Sequence, residues 1–187
     1  MACDLTTGRI VPCKDAVGGL RAVYFIDFGD LGAITYDSVN TDVIEDFGGP
    51  PTAYKYDLKG NSSFEQTVNS SRENGTTFYE QTLNLTFTKL DRATNKELKL
   101  VAYGRPHVIV EDYNGNLFVM GLLHGAEVTG GTIVTGAAMG DLSGYTLVMT
   151  GQEQIAANFI EAAATPLAAL NAAGVTVSGS QIDPGTT

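Results

Sequence analysis

The alternation of apolar and polar positions is clearest between Thr77 and Gln154. Leu83, Leu85 and Phe87 alternate with Asn84, Thr86 and Thr88; Tyr79 and Gln81 extend the first face, and Phe78, Glu80 and Thr82 the second. A period of two predicts a strand with one face in a core and the other against water or a neighbouring subunit. The period then changes. Asp91 or Thr94 can cap a helix, Thr94 and Glu97 have capping-box spacing, and Ala93, Leu98, Val101 and Ala102 can share a buried stripe. Gly104 suits a left-handed position after the last turn and Pro106 forbids continuation, so a helix is expected over about 91–103.

A hairpin follows. Asn114-Gly115 lies between the apolar runs 107–113 and 116–120, the pair that favours a two-residue turn with positive φ at both positions. Such a turn sets Val110 opposite Val119 and Glu111 opposite Phe118. Seven glycines then fall between Gly121 and Gly144, interleaved with apolar residues. They form neither G-x-G-x-x-G nor a phosphate loop, since Gly136 is followed by Ala137 and not lysine. The run reads either as a flexible or bulged connection or as a close-packed stretch at a subunit contact. Tyr145, Leu147 and Met149 alternate with Thr146, Val148 and Thr150 as a closing strand.

Upstream, residues 1–19 read as an arm, and 21–28 as a largely buried strand that turns at 27–32 and returns over 33–36. The acidic stretch 37–51, ending Gly48-Gly-Pro-Pro51, reads as a long protruding loop, a length that usually has a binding job. Residues 52–58 and 62–68 suggest a second hairpin across Lys59-Gly60-Asn61. The alanine-rich 155–187 reads as short helical turns on a neighbour or a loose extension; Asn158, Glu161, Pro166 and Asn171 argue against a membrane span. The expectation is one domain over 1–187, with its core at about 20–154.

Charge sharpens this picture. The net value is −10, and all eleven Lys and Arg lie at or before Arg105. The first 105 residues are net −3, whereas the rest carry seven acids and no base. A surface that grips nucleic acid needs Lys or Arg, so that class is disfavoured. What remains is an ordinary acidic surface, or one that must not hold a polyanion passing close by.

Candidate chemistry adds little. No nucleophile elbow, HExxH motif or zinc spacing is present, so neither metal, cofactor nor enzymatic activity is expected. Asp27, Asp30 and Asp37 lack the order of an EF-hand loop, and His107 reads as a structural residue of the hairpin. Cys3 and Cys13 can pair or stay reduced, and no apolar leader follows the N-terminus.

Phe78–Phe87, Lys89-Leu-Asp91, Gly104-Arg-Pro-His-Val-Ile-Val110, Asp112-Tyr-Asn-Gly-Asn116, Gly130-Gly and Met139–Leu147 together resemble tailed-bacteriophage tail tube (major tail) proteins, over about 20–154. The resemblance implies a mainly β, α+β fold: an antiparallel β-sandwich closed into a barrel, with one flanking helix and a long protruding loop. It implies hexameric rings stacked into a tube in the virion tail, assembled in the host cytoplasm, with inner sheets joined around an acidic channel. The implied partners are further copies and tape measure, baseplate, terminator and sheath proteins. Double-stranded DNA would be passing cargo without sequence recognition, and no membrane is involved. On that basis Glu80, Thr82, Asn84 and Thr86 are candidates for the lumen. Asp42, Glu45, Asp46, Phe47, Gly130, Gly131, Gly136 and Gly140 are candidates for subunit contacts, and Gly131→Arg is expected to block polymerisation without unfolding the monomer. Other classes stay open: a tail terminator or neck component, a β-sandwich adhesin or carbohydrate-binding module, and a hydrolase with an unrecognised site.

Overall fold

The computed structural model describes residues 7–11 and 13–184, so a Cys3–Cys13 pairing lies outside the described residues. In order it comprises β1 (Leu20–Ile26), β2 (Ile34–Tyr36), β3 (Val43–Phe47), β4 (Thr52–Asp57), β5 (Ser63–Ser71), β6 (Thr76–Thr88) and α1 (Arg92–Tyr103). There follow β7 (His107–Asp112), β8 (Leu117–Met120), β9 (Glu127–Val134), β10 (Gly144–Glu153), β11 (Asn158–Ile160), α2 (Pro166–Ala172) and β12 (Thr176–Val177). The chain is mainly β, as expected.

Eight strands form a large sheet in the order β12-β4-β1-β7-β8-β11-β3-β2, curled into a half-barrel. Four form a small sheet, β5-β6-β10-β9. The almost continuously buried β1 and β7 lie at the centre because both of their faces are covered. One face (Tyr24, Ile26, Ile109) packs with Leu170 and Ala169 of α2 inside the curl. The other (Val23, Phe25, Val108, Val110) packs on Leu83, Leu85, Leu147 and Met149 of the small sheet. The small sheet is thus apolar mainly on its inner face, as its period of two predicts.

Helix α1 spans the expected residues. Asp91 caps it, its carboxylate accepting from the Ala93 and Thr94 N–H groups at 2.8 and 3.0 Å. Within the helix only Leu98 is buried, so the expected stripe is narrower, and Gly104 is extended and not left-handed.

The β7–β8 hairpin forms one register away from that expected, with Val110 opposite Phe118 and Glu111 opposite Leu117. The loop has three residues, Tyr113–Gly115, because the Asp112 carboxylate accepts from the Asn114 and Asn116 N–H groups and holds the turn open by one position. Gly115, at φ 84°, supplies the left-handed step.

Local hairpin reasoning fails where the chain changes sheet. Residues 34–36 pair with β3 and not β1. Strand β4 pairs with β1 while β5 pairs with β6, so Gly60 and Asn61, both at positive φ, carry the chain between sheets. The stretch 37–51 is no free loop: Ile44 and Phe47 are core residues, and the Gly48 and Gly49 N–H groups bond to Ala33 and Leu31. The protrusion lies instead at the β5–β6 tip, where three pairs (Asn69–Phe78 to Ser71–Thr76) continue past the last β10 partner, Glu153 opposite Tyr79.

The C-terminal stretch is neither loose nor an appendage. Strand β11 sits between β8 and β3 and joins the β2–β3 hairpin to the rest of the large sheet. Helix α2, capped by Thr165, buries Leu170 completely, and β12 extends the sheet beside β4. Truncation after Gln154 is therefore expected to abolish folding, and Leu170→Ala to cost roughly 2–5 kcal/mol. Circular dichroism and urea titration check both; a folded truncation would contradict the placement of the core.

Candidate functional surface

The outer face of the small sheet unites the largest set of polar positions. Glu80, Thr82, Asn84 and Thr86 share it, half-buried, as their alternation requires. Register adds neighbours that the sequence reading missed: Ser63, Glu65, Thr67 and Asn69 on β5, Thr146, Thr150 and Gln152 on β10, and Glu127 and Thr132 on β9. Phe78 and Val148 are its apolar exceptions. None of the eleven Lys and Arg falls within the four strands, so the face carries Glu65, Glu80 and Glu127 unopposed.

Its polar groups also bind one another. Thr132 and Thr146 hydroxyls meet at 2.7 Å, Asn69 Nδ2 donates to Glu80 Oε2 at 3.3 Å, and Thr86 Oγ1 donates to the Asn61 carbonyl at 3.1 Å. Donors occupied within the sheet are not free to hold a phosphate.

Among the described residues, no strand lies beyond either edge of this sheet, β5 or β9. Gly130 and Gly131 lie on the β9 edge, Gly136 and Gly140 on the β9–β10 loop, where the Asp141 carboxylate accepts from the Ala137 and Ala138 N–H groups. Those two bonds hold the Asp141 carboxyl below its ordinary value. Asp42, Glu45, Asp46 and Phe47 lie far along the other sheet, at the β2–β3 edge, so the two groups of contact candidates are not brought together. Phe47, at 2 % exposure, belongs to its own core and offers no contact surface. Gly131 is likewise committed internally: a Cβ there would meet the Thr146 carbonyl at 2.6 Å, so Gly131→Arg tests folding before assembly. Gly130 has only Val148 near, at 4.0 Å.

A buried polar node closes one end of the sandwich. Gln81 Oε1 accepts from the Gly121 N–H at 2.9 Å, and Glu153 Oε1 from the Leu123 and His124 N–H groups at 2.9 and 2.8 Å. The Gly29 N–H donates to His107 Nε2 at 3.1 Å, so Nδ1 carries the proton and donates to the Gly121 carbonyl at 2.6 Å. Phe28 stacks on the imidazole at 5.0 Å between centroids, with the Arg105 guanidinium 4.0 Å above Phe28. Burial holds the imidazole below its ordinary 6.5, against the opposing pull of the Gly121 carbonyl and the Glu153 and Asp30 carboxylates. These side chains satisfy backbone groups of the turns that have no ladder partner. On the far side of the large sheet, Glu111 accepts from the Tyr24 hydroxyl at 2.6 Å and meets Arg21 at 3.4 Å. Burial first, then that carboxylate, raises the Tyr24 pKa.

A cleft of about 590 Å³ lies between β4, the end of β6, the start of α1 and residues 180–184, with Tyr54, Tyr56, Lys59 and Glu97 among its lining. Among the described residues no group of His, Cys, Asp and Glu converges as a metal site, and no helix is long and apolar enough to cross a membrane. No family model, curated protein or solved structure matches this chain.

Two outcomes are expected. Gly131→Ala should lower stability by about 1–3 kcal/mol whereas Gly130→Ala should be nearly neutral, by urea titration. The neutral imidazole of His107 is stabilising above about pH 6.5, and stability falls below that value as the unfolded chain takes up the proton. His107→Gln should therefore shrink the loss in urea midpoint between roughly pH 7.5 and 5.5; an unchanged loss would place its origin elsewhere.

Proposed function

We propose that this chain is a virion structural protein, the tube subunit of a phage tail, whose copies join through the small sheet into stacked rings around a channel for DNA. The observation that carries the reading is a four-stranded sheet, open at both edges, whose outer face holds acids and hydroxyls and no base. Its strands alternate in direction, so β5 and β9 run oppositely. An even number of antiparallel strands lets copies related by rotation join β9 to β5 antiparallel at every junction, and pairing removes both exposed edges. Six copies give 24 strands; at about 4.8 Å each, tilted as in other barrels, they enclose roughly 45–50 Å between backbones. A DNA duplex fits inside such a bore. With no Lys or Arg facing it, the duplex has no counterion-releasing contact to make and slides without adhering.

A second reading, a carbohydrate-binding sandwich, has the cleft beside Tyr54 and Tyr56 in its favour. A terminator or neck component would share the ring without stacking.

Negative-stain electron microscopy of the purified chain, across protein concentration and salt, tests the proposal: hollow tubes or stacked six-fold rings are expected. Glycan-array binding by a chain that never assembles would favour the carbohydrate reading. Thr82→Lys places a base on the face without touching an edge. It should assemble normally yet retain short duplex DNA in a salt-dependent manner; failure to retain DNA would count against this face lining the channel.

A further inference from the structure

Resting on that reading, we infer that adjacent copies join with β5 displaced along β9 by four or six residues, and that this offset, built into the outline of the small sheet, sets the strand tilt of the ring. The outline is skewed. Thr132 stands level with Thr146 and Thr86 through the ladder, and continuing that row reaches Asn61, two residues before β5 begins. In the other direction, Glu127 is level with Thr150, Thr82 and Glu65, while β5 runs on to Ser71. Joined without offset, the edges would overlap only between Glu127–Gly130 and Ser63–Glu65, leaving most of both unpaired.

The alternation of faces allows even offsets only, since an odd one sets core-facing Ile133 beside outward Glu65 or Thr67. Offsets of four, with Thr132 opposite Glu65, and six, with Thr132 opposite Thr67, place the whole of β9 against β5. At about 3.4 Å per residue and 4.8 Å per strand, these shifts across four strands slope the strands by roughly 35° or 47° from the ring axis. Closed barrels tilt by roughly 35–45°. The slope depends on the subunit alone and not on the number of copies.

The hand agrees as well. The Thr86 N–H points towards β5, donating to Ser62 Oγ, while its side chain lies on the polar face. For an L-residue this puts β5 to the right of an upward β6 viewed from that face. Joining the next copy then leans the strands left as seen from within the ring and right from outside, the sense that right-handed strand twist imposes.

Both edges also leave apolar surface on the core side: Ile133 is 63 % exposed on β9 and Val68 57 % on β5. An apolar groove of about 230 Å³ between α1 and β9, lined by Leu98, Ala102, Val128 and Ile133, opens on that side. The β5 edge of a second copy, carrying Val68 on its core-facing side, is the occupant this geometry fits.

Paired cysteines test the offset in a chain carrying Cys3→Ser and Cys13→Ser. Thr132→Cys is combined with Glu65→Cys, Thr67→Cys or Asn61→Cys; all four positions are exposed, so folding is undisturbed. After oxidation, a ladder of covalent oligomers is expected from the Glu65 or the Thr67 combination and none from Asn61, with the same samples viewed by electron microscopy. Assembled rings with no ladder, or with one from Asn61 alone, would overturn the offset and leave the tube reading standing. A ladder without tubes would uphold the junction and sink the tube, and neither ladder nor rings would overturn both.

Discussion

Burial of β1 and β7 on both faces is the constraint from which the rest of the architecture follows. A strand apolar on both sides needs two covers, and here the small sheet supplies one and α2 the other. The small sheet meets this demand with its inner face alone, which leaves an entire outer face free of packing duties. That freedom is what allows a surface of threonines, asparagines and glutamates to exist on a sheet whose reverse is apolar except for Gln66, Gln81 and Glu153 at one end. The large sheet has no such latitude and must curl around α2.

Where the two sheets end, polar groups replace hydrophobic packing. Gln81 and Glu153 reach from the small sheet to the Gly121–His124 turn, and His107 ties that turn to the loop after β1. Each bond satisfies a backbone group that has no ladder partner, which is how buried turns avoid a desolvation cost. At the β5 side the gap is filled differently, by Phe64, Phe118 and Phe159 in a chain of ring contacts at 6.1 and 4.7 Å. At the β9 side, α1 covers it through Leu98.

Legibility in the sequence tracked how local the deciding interaction is. Strands β6 and β10 and helix α1 are set by periodicity and by a cap within their own residues, and all three lie where the alternation of Leu83–Phe87, the Asp91 cap and the Tyr145–Met149 alternation place them. The β7–β8 register was missed by one because a side chain, Asp112, outvoted the Asn-Gly dipeptide. The partners of β2, β4 and β5 were misread because they are set by the other sheet and not by the nearest turn. The outer face was half legible: β6 shows its polar side plainly, but Glu65, Thr150 and Glu127 join it only through the pairings Glu65–Thr82, Thr150–Thr82 and Glu127–Thr150, which periodicity does not encode. The core role of 155–177 was hidden by alanine, a residue equally at home on a surface and beneath a curled sheet.

Strand β11 has a consequence in time. It is three residues long, follows every other strand except β12 among the described residues, and is the strand through which the β2–β3 hairpin is paired to the strands centred on β1 and β7. Until residues beyond Glu153 are made, no strand pairing joins the two parts of the large sheet and its concave core has no α2. The small sheet, with its unpaired edges, is already complete in sequence by then. A nascent chain therefore carries finished edges on an unfinished body, and closure of the body waits for residues 158–177 to emerge. Translation itself imposes that delay: the large sheet closes only once β11, α2 and β12 have left the ribosome.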